Sequence, residues 1–210
     1  MNSDLPKKKC EGKSGSERFV LAGQPLNFDL LNFWKWAASD LIDNTWRGVL
    51  AEYLVAKALG SKDDGIRDSW GPVDLVSPTG ITIQVKSAAF LQAWYQKEFS
   101  RISFSIKPRR VFDSATNSFS ETPVRVAQVW GFALLKHKDK LTLDPMDLAQ
   151  WQFFVVSKAF LDDYRRSQES ITLESLLNLG IEPVGFSELA EKVERCAKVD
   201  STPFRPGTSR

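Results

Sequence analysis

Apolar residues recur at helical spacing over 27–42, NFDLLNFWKWAASDLI, and again over 44–60, NTWRGVLAEYLVAKALG. This pattern predicts two consecutive helices, with Asn27 and Asn44 as N-caps and Gly60 just past the second. The period then shifts to two. Residues 71–88, GPVDLVSPTGITIQVKSA, alternate like a strand pair around a turn, and RISFSI at 101–106 reads as a further strand. Two almost wholly apolar runs, AQVWGFALL (127–135) and WQFFVV (151–156), suit strands covered on both faces. Helical spacing returns at 157–166, 172–180 and 187–199, with Ser187 as the cap of the last. Residues 88–99 fit a helix or an irregular excursion equally well, and 113–123 reads as a loop. Helices on both sides of a mixed sheet make the expected class α/β, with additional helices toward the C-terminus.

The pair of strands at 71–88 carries the candidate chemistry. Ile81, Ile83 and Val85 share one face, and Thr82, Gln84 and Lys86 share the other. Pro78, Thr79 and Gly80 suit a three-residue hairpin loop with Gly80 in the left-handed region, which pairs Ser77 with Ile81. Carried back along the ladder, this register sets Asp74 opposite Gln84, with Lys86 one pleat further on the same face. A carboxylate and an amide oxygen are hard ligands suited to Mg²⁺, and a lysine beside them can hold a water or offset developing negative charge. An ordinary exposed edge hairpin would also carry such residues. Glu52 tips the balance, because it lies mid-helix between the small residues Gly48 and Ala56, where the helix can approach a sheet closely. Its simplest structural role would be an ion pair with Arg47 or Lys57.

Net charge changes the picture only when divided along the chain. The whole carries +2, but 86–140 holds ten basic against four acidic residues, whereas 19–85 and 141–200 are net acidic. A basic middle suits a polyanionic partner. Within it, Arg101, Lys107, Arg109 and Arg110 are the best phosphate-contact candidates, with Trp94 and Tyr95 as base or sugar contacts. The two cysteines, Cys10 and Cys196, are in neither metal-ligand nor disulfide spacing, which suits a reducing, cytoplasmic setting. No stretch reads as a membrane span, and the single histidine, His137, reads as a surface residue. Phosphate-cradling glycine loops are absent from the sequence. The expected organisation is one domain over 19–200 between disordered tails at 1–18 and 201–210.

Glu52 in RGVLAEYLVAKALG, Asp74 in GPVDL, and Gln84 with Lys86 in IQVKS together resemble the PD-(D/E)XK nuclease superfamily, also called restriction-endonuclease-like, over about 44–135. The proline of the motif stands at Pro72, with Val73 interposed before the acid, and Gln84 stands where Asp or Glu is more usual. The resemblance implies a restriction-endonuclease-like core and a Mg²⁺-dependent endodeoxyribonuclease, with Mn²⁺ as substitute. In it Asp74, Gln84 and Glu52 hold the metal and Lys86 positions the attacking water. Thr82 and Ser87 would support that set. A catalytically inactive DNA-binding or protein-interaction module of the same fold stays open at this point, as does an unrelated α/β domain. Whether the nucleic acid is DNA or RNA, and whether the chain forms a homodimer, is likewise open.

Overall fold

The computed structural model describes residues 8, 10–62, 65–113, 117–164 and 168–199. The tail expected at 201–210 and most of the first nine residues lie outside the described residues. Ser14–Arg18, read from sequence as part of the amino-terminal tail, are instead tied to the folded chain: the Leu30 and Leu31 amides donate to the Glu17 and Gly15 carbonyls.

The chain opens with a hairpin of β1 (Arg18–Leu21) and β2 (Gln24–Asp29), followed by α1 (Leu30–Ala38). This corrects the helix expected over 27–42. Its first residues belong to a strand, and the cap is Asp29, not Asn27, because the Asp29 carboxylate and the Asn32 amide exchange hydrogen bonds with each other's backbone. Seven of the nine α1 residues are apolar, yet none is buried.

Helix α2 (Asn44–Ala58) runs close to its expected span, but Asp43 caps it in place of Asn44 by accepting from the Thr45 and Trp46 amides. Gly60, at φ +75°, comes just after its end as expected. Next come β3 (Leu75–Val76) and β4 (Thr82–Ala89), joined by the 78–80 turn. The strand expected at 101–106 is reduced to β5 (Ser103–Ser105), and the expected loop at 113–123 overlaps a small antiparallel pair of β6 (Phe112–Asp113) and β7 (Ser118–Phe119). The two apolar runs form β8 (Val129–Leu135) and β9 (Trp151–Ser157). They are succeeded by α3 (Lys158–Tyr164), β10 (Ser170–Thr172), α4 (Leu173–Asn178) and α5 (Leu189–Val199). Ser187 lies inside a single 3₁₀ turn, Phe186–Glu188, and is not a cap.

The central sheet is mixed, in the order β3-β4-β8-β9, with β4 and β8 parallel and the outer pairs antiparallel. Alternation along β4 and β8 divides the core into two layers. Ile83, Val85, Val129 and Ala133 pack against Ala51, Leu54 and Val55 of α2 and Leu189 and Val193 of α5. On the other face Ala88, Trp130, Phe132 and Leu134 pack against Phe104 of β5, Leu161 of α3 and Leu176 of α4. The second layer explains the fate of 101–106: β5 leaves the central sheet and pairs with β10 above it. The architecture is therefore α/β, a four-stranded mixed sheet flanked by helices. Among the described residues no helix is long and apolar enough to cross a membrane.

Candidate active site

The β3–β4 hairpin has the expected register. Leu75 faces Ile83, Val76 faces Thr82, and the Ser77 amide donates to the Ile81 carbonyl. Gly80 has φ +86°, and its amide closes the turn on the Ser77 carbonyl. One residue beyond the ladder, Asp74 stands opposite Gln84. There the carboxylate replaces the strand: the Val85 amide donates to Asp74 Oδ2 at 2.8 Å, and Gln84 Nε2 donates to the same oxygen. A short polar side chain thus ends the pairing and satisfies a buried strand N–H at the same time.

Lys86 Nζ lies 3.6 Å from Asp74 Oδ2, so the three residues meet on one face as the alternation requires. Burial pulls the Lys86 ammonium below the ordinary lysine range. Asp74 and Glu52 oppose that shift and Arg109 adds to it. Gln84 is 3 % exposed, and both ends of its amide are engaged, since Arg109 Nη2 donates to its oxygen at 2.8 Å. Arg109 is held in turn by a backbone bridge to Val124.

Glu52 belongs to α2, which covers the opposite face, and reaches this neighbourhood around the β3 edge. It lines a cavity of about 560 Å³ together with Asp74, Val73, Thr82 and Arg67. Its partner is Arg67, which clamps both carboxylate oxygens at 2.5 and 2.9 Å and also donates to Ser69. That pairing replaces the one expected with Arg47 or Lys57. The Glu52 bond holds the Arg67 guanidinium above its ordinary pKa, and the charge of Asp74 acts on it in the same sense. Arg47 is buried and spent on structure, donating to the Ile42 carbonyl, Asn44, Ser87 and Gln92.

The oxygens available to a cation are therefore two carboxylates, Glu52 and Asp74, and the Gln84 amide. Among the described residues no group of three or more His, Cys, Asp and Glu side chains could hold a metal ion. Arg67, Lys86 and Arg109 outnumber the two acids. Thr82 and Ser87 are committed elsewhere: Thr82 exchanges bonds with Gln128, and Ser87 accepts from Arg47.

The basic candidates divide. Lys107, Arg109 and Arg110 line a second pocket that includes Gln84, and Lys107 pairs with the exposed Glu169 at 2.8 Å. Arg101 lines a separate depression with Phe90 and Leu173. Trp94 and Tyr95 are exposed, and the Trp94 carbonyl accepts from Lys140. His137 bonds Thr142. Sequence reasoning missed Arg67 and Trp130. Arg67 sits in a stretch without periodicity, whereas Trp130 is the parallel-register neighbour of Gln84 and became recognisable only once β4 and β8 were paired.

No protein-family model matches the chain, and a search of curated proteins finds no significant match.

Proposed function

We propose that the chain is a metal-dependent nuclease of the PD-(D/E)XK, restriction-endonuclease-like type, hydrolysing phosphodiester bonds, most naturally in DNA. The observation that carries this reading is the meeting of Asp74 and Lys86 at 3.6 Å beside Gln84, with Asp74 lining a cavity that Glu52 also lines. An acid, an amide and a lysine on one strand face, with a helical acid across the edge, give hard oxygen donors and one ammonium beside them.

The donor set fits Mg²⁺ or Mn²⁺ by chemistry, subject to an exchange of partners: Arg67 would release Glu52, and Arg109 would release the Gln84 oxygen. Glu52, Asp74 and Gln84 would then hold the ion, which supplies Lewis acidity toward a phosphoryl oxygen. Lys86 orients the attacking water and offsets the charge that develops on the phosphorus oxygens. Arg109 and Arg110 hold the neighbouring phosphates. The two free cysteines suit a reducing, cytoplasmic setting for this activity.

A second reading is favoured by a specific observation. Two carboxylates stand against three cations, and arginines occupy both Glu52 and the Gln84 oxygen. Such a site binds phosphate without metal, as a catalytically inactive nucleic-acid-binding module would. Mn²⁺ titration followed by electron paramagnetic resonance separates the two. The nuclease reading requires saturable Mn²⁺ binding by the wild type that Asp74→Asn weakens at least tenfold. No saturable binding, together with intact affinity for nucleic acid, selects the inactive module.

A further inference from the structure

The second pocket, about 180 Å³, lies on the Trp130 side of the sheet, and its contents do not suit a simple phosphate groove. Its cations are Lys107, Arg109, Arg110 and Arg125, and no carboxylate lines it among the described residues. Two of the four are committed to structure or to an acid. Arg125 is buried and donates to the Ile106 carbonyl and Asp162, and Lys107 pairs with Glu169. Arg109 and Arg110 remain at the surface, and Arg110 has no partner among the described residues. Two cations without counter-charge make the pocket an anion site.

Three aromatic rings complete it. Trp70 is 74 % exposed and meets Phe112 edge-on at 6.2 Å, and Phe112 meets Phe119, itself 61 % exposed, at 5.1 Å. Phe112 is half-buried and stands opposite Phe119 in the β6–β7 pair, whereas Trp70 and Phe119 keep most of their ring surface open to water beside a basic pocket, where a flat occupant can stack on it. Trp130, 3 % exposed, lines the same pocket, and its indole N–H is the one buried side-chain donor or acceptor without a partner among the described residues. An oxygen or nitrogen acceptor on an occupant, or an ordered water, would satisfy it.

Flat rings, an indole donor and two guanidinium groups without an acid partner together match a nucleobase with its phosphate. The bases of a continuous duplex are stacked on one another and cannot offer a face to protein rings, so only an unpaired nucleotide can use all of these groups. Gln84 joins this pocket to the candidate active site, since its amide bonds Arg109 at one end and Asp74 at the other. We infer that the pocket receives one unpaired nucleotide adjoining the phosphodiester held at Asp74 and Lys86, so that the substrate is single-stranded or locally unpaired nucleic acid. The inference rests on the nuclease reading and adds the substrate class to it.

The test is fluorescence anisotropy of a labelled single-stranded oligodeoxynucleotide and its duplex, in EDTA across a salt series, with the full chain and the variants Trp70→Ala, Phe119→Ala and Arg110→Ala. Trp70 and Phe119 are exposed, and circular dichroism of each variant checks that the fold is kept. Stacking is worth about 1–3 kcal/mol per base, so each ring variant should lose roughly 5- to 150-fold in single-strand affinity, with duplex affinity and salt slope unchanged. Arg110→Ala should lower the single-strand log–log salt slope by about 0.7. Wild-type preference for the duplex, or ring variants that bind single strands like the wild type, overturns the inference. Hydrolysis assays on the same proteins keep the two claims apart. Asp74-dependent cleavage that is indifferent to Trp70→Ala refutes the pocket and leaves the nuclease. Ring-dependent single-strand binding without any Asp74-dependent cleavage keeps a nucleotide pocket and refutes the nuclease.

Discussion

Arg109 Nη2 donates to the Gln84 amide oxygen at 2.8 Å while the nitrogen of the same amide donates to Asp74, so Gln84 bridges a cation and an acid. A carboxylate at this position would accept from Arg109 but could not donate to Asp74. Gln84→Glu therefore sets a second carboxylate beside Asp74, between Lys86 and Arg109. We expect Mg²⁺ affinity to tighten by about tenfold, roughly 1.4 kcal/mol, measured by calorimetry above pH 7. Weaker binding would show that the amide's donor function, and not its oxygen, is what the site uses.

In the proposed site Arg67 would compete with the ion for Glu52, whose carboxylate it clamps. The pair is partly exposed, and ion pairs of that kind contribute about 0–1 kcal/mol, so Arg67→Ala should leave the melting temperature nearly unchanged. Metal affinity should rise severalfold in the same variant, because Glu52 is released. If affinity is unchanged or falls, Glu52 is no part of the metal site and serves only to anchor the 65–69 segment.

Lys86 makes stability depend on pH. Because folding lowers its pKa, the unfolded chain keeps a proton that the folded chain has released, over the interval between the lowered value and about 10.4. Its contribution to stability is an unfavourable constant below that interval and rises with pH through it. In urea titrations the stability of the wild type relative to Lys86→Met should therefore increase from neutral pH toward pH 10. A flat difference would mean that the ammonium is as well solvated folded as unfolded.

Gly80 holds the register that brings Asp74 to Gln84. A Cβ there meets nothing within 4 Å, so any penalty comes from the backbone at φ +86° alone. Gly80→Ala should cost about 1–2 kcal/mol in chemical denaturation, and Gly80→Asn clearly less, since asparagine tolerates the left-handed region. Equal costs for the two variants would point away from backbone strain.

Legibility in the sequence tracks the range of the interactions involved. The turn at Ser77–Gly80 and the alternation of Ile81, Ile83 and Val85 are local, and they suffice to bring Asp74, Gln84 and Lys86 onto one face. The apolar runs of β8 and β9 declared themselves by composition. Pairings between distant segments did not. Arg109 reaches Gln84 across 25 residues and Arg67 reaches Glu52 across 15, and no local pattern specifies which carboxylate or amide an arginine finds. Residues 101–106 carried strand propensity, but their partner at 170–172 lay too far along the chain to be inferred. Of the β1–β2 hairpin only residues 27–29 fell within the expected helix, where Phe28 fits the spacing that continues into α1, and the turn at Ala22 and Gly23, both at positive φ, was not recognised.

The most direct test of a metal-dependent nuclease site at Asp74 and Lys86 is nicking of supercoiled and branched DNA by the wild type, Asp74→Ala and Lys86→Ala across a Mg²⁺ titration. The expected result is metal-dependent nicking by the wild type, and a loss of about 10²–10³ in rate for each variant with unchanged circular dichroism. Wild-type protein that binds DNA but does not nick it in Mg²⁺ or Mn²⁺, or nicking that survives Asp74→Ala and Lys86→Ala, would contradict it.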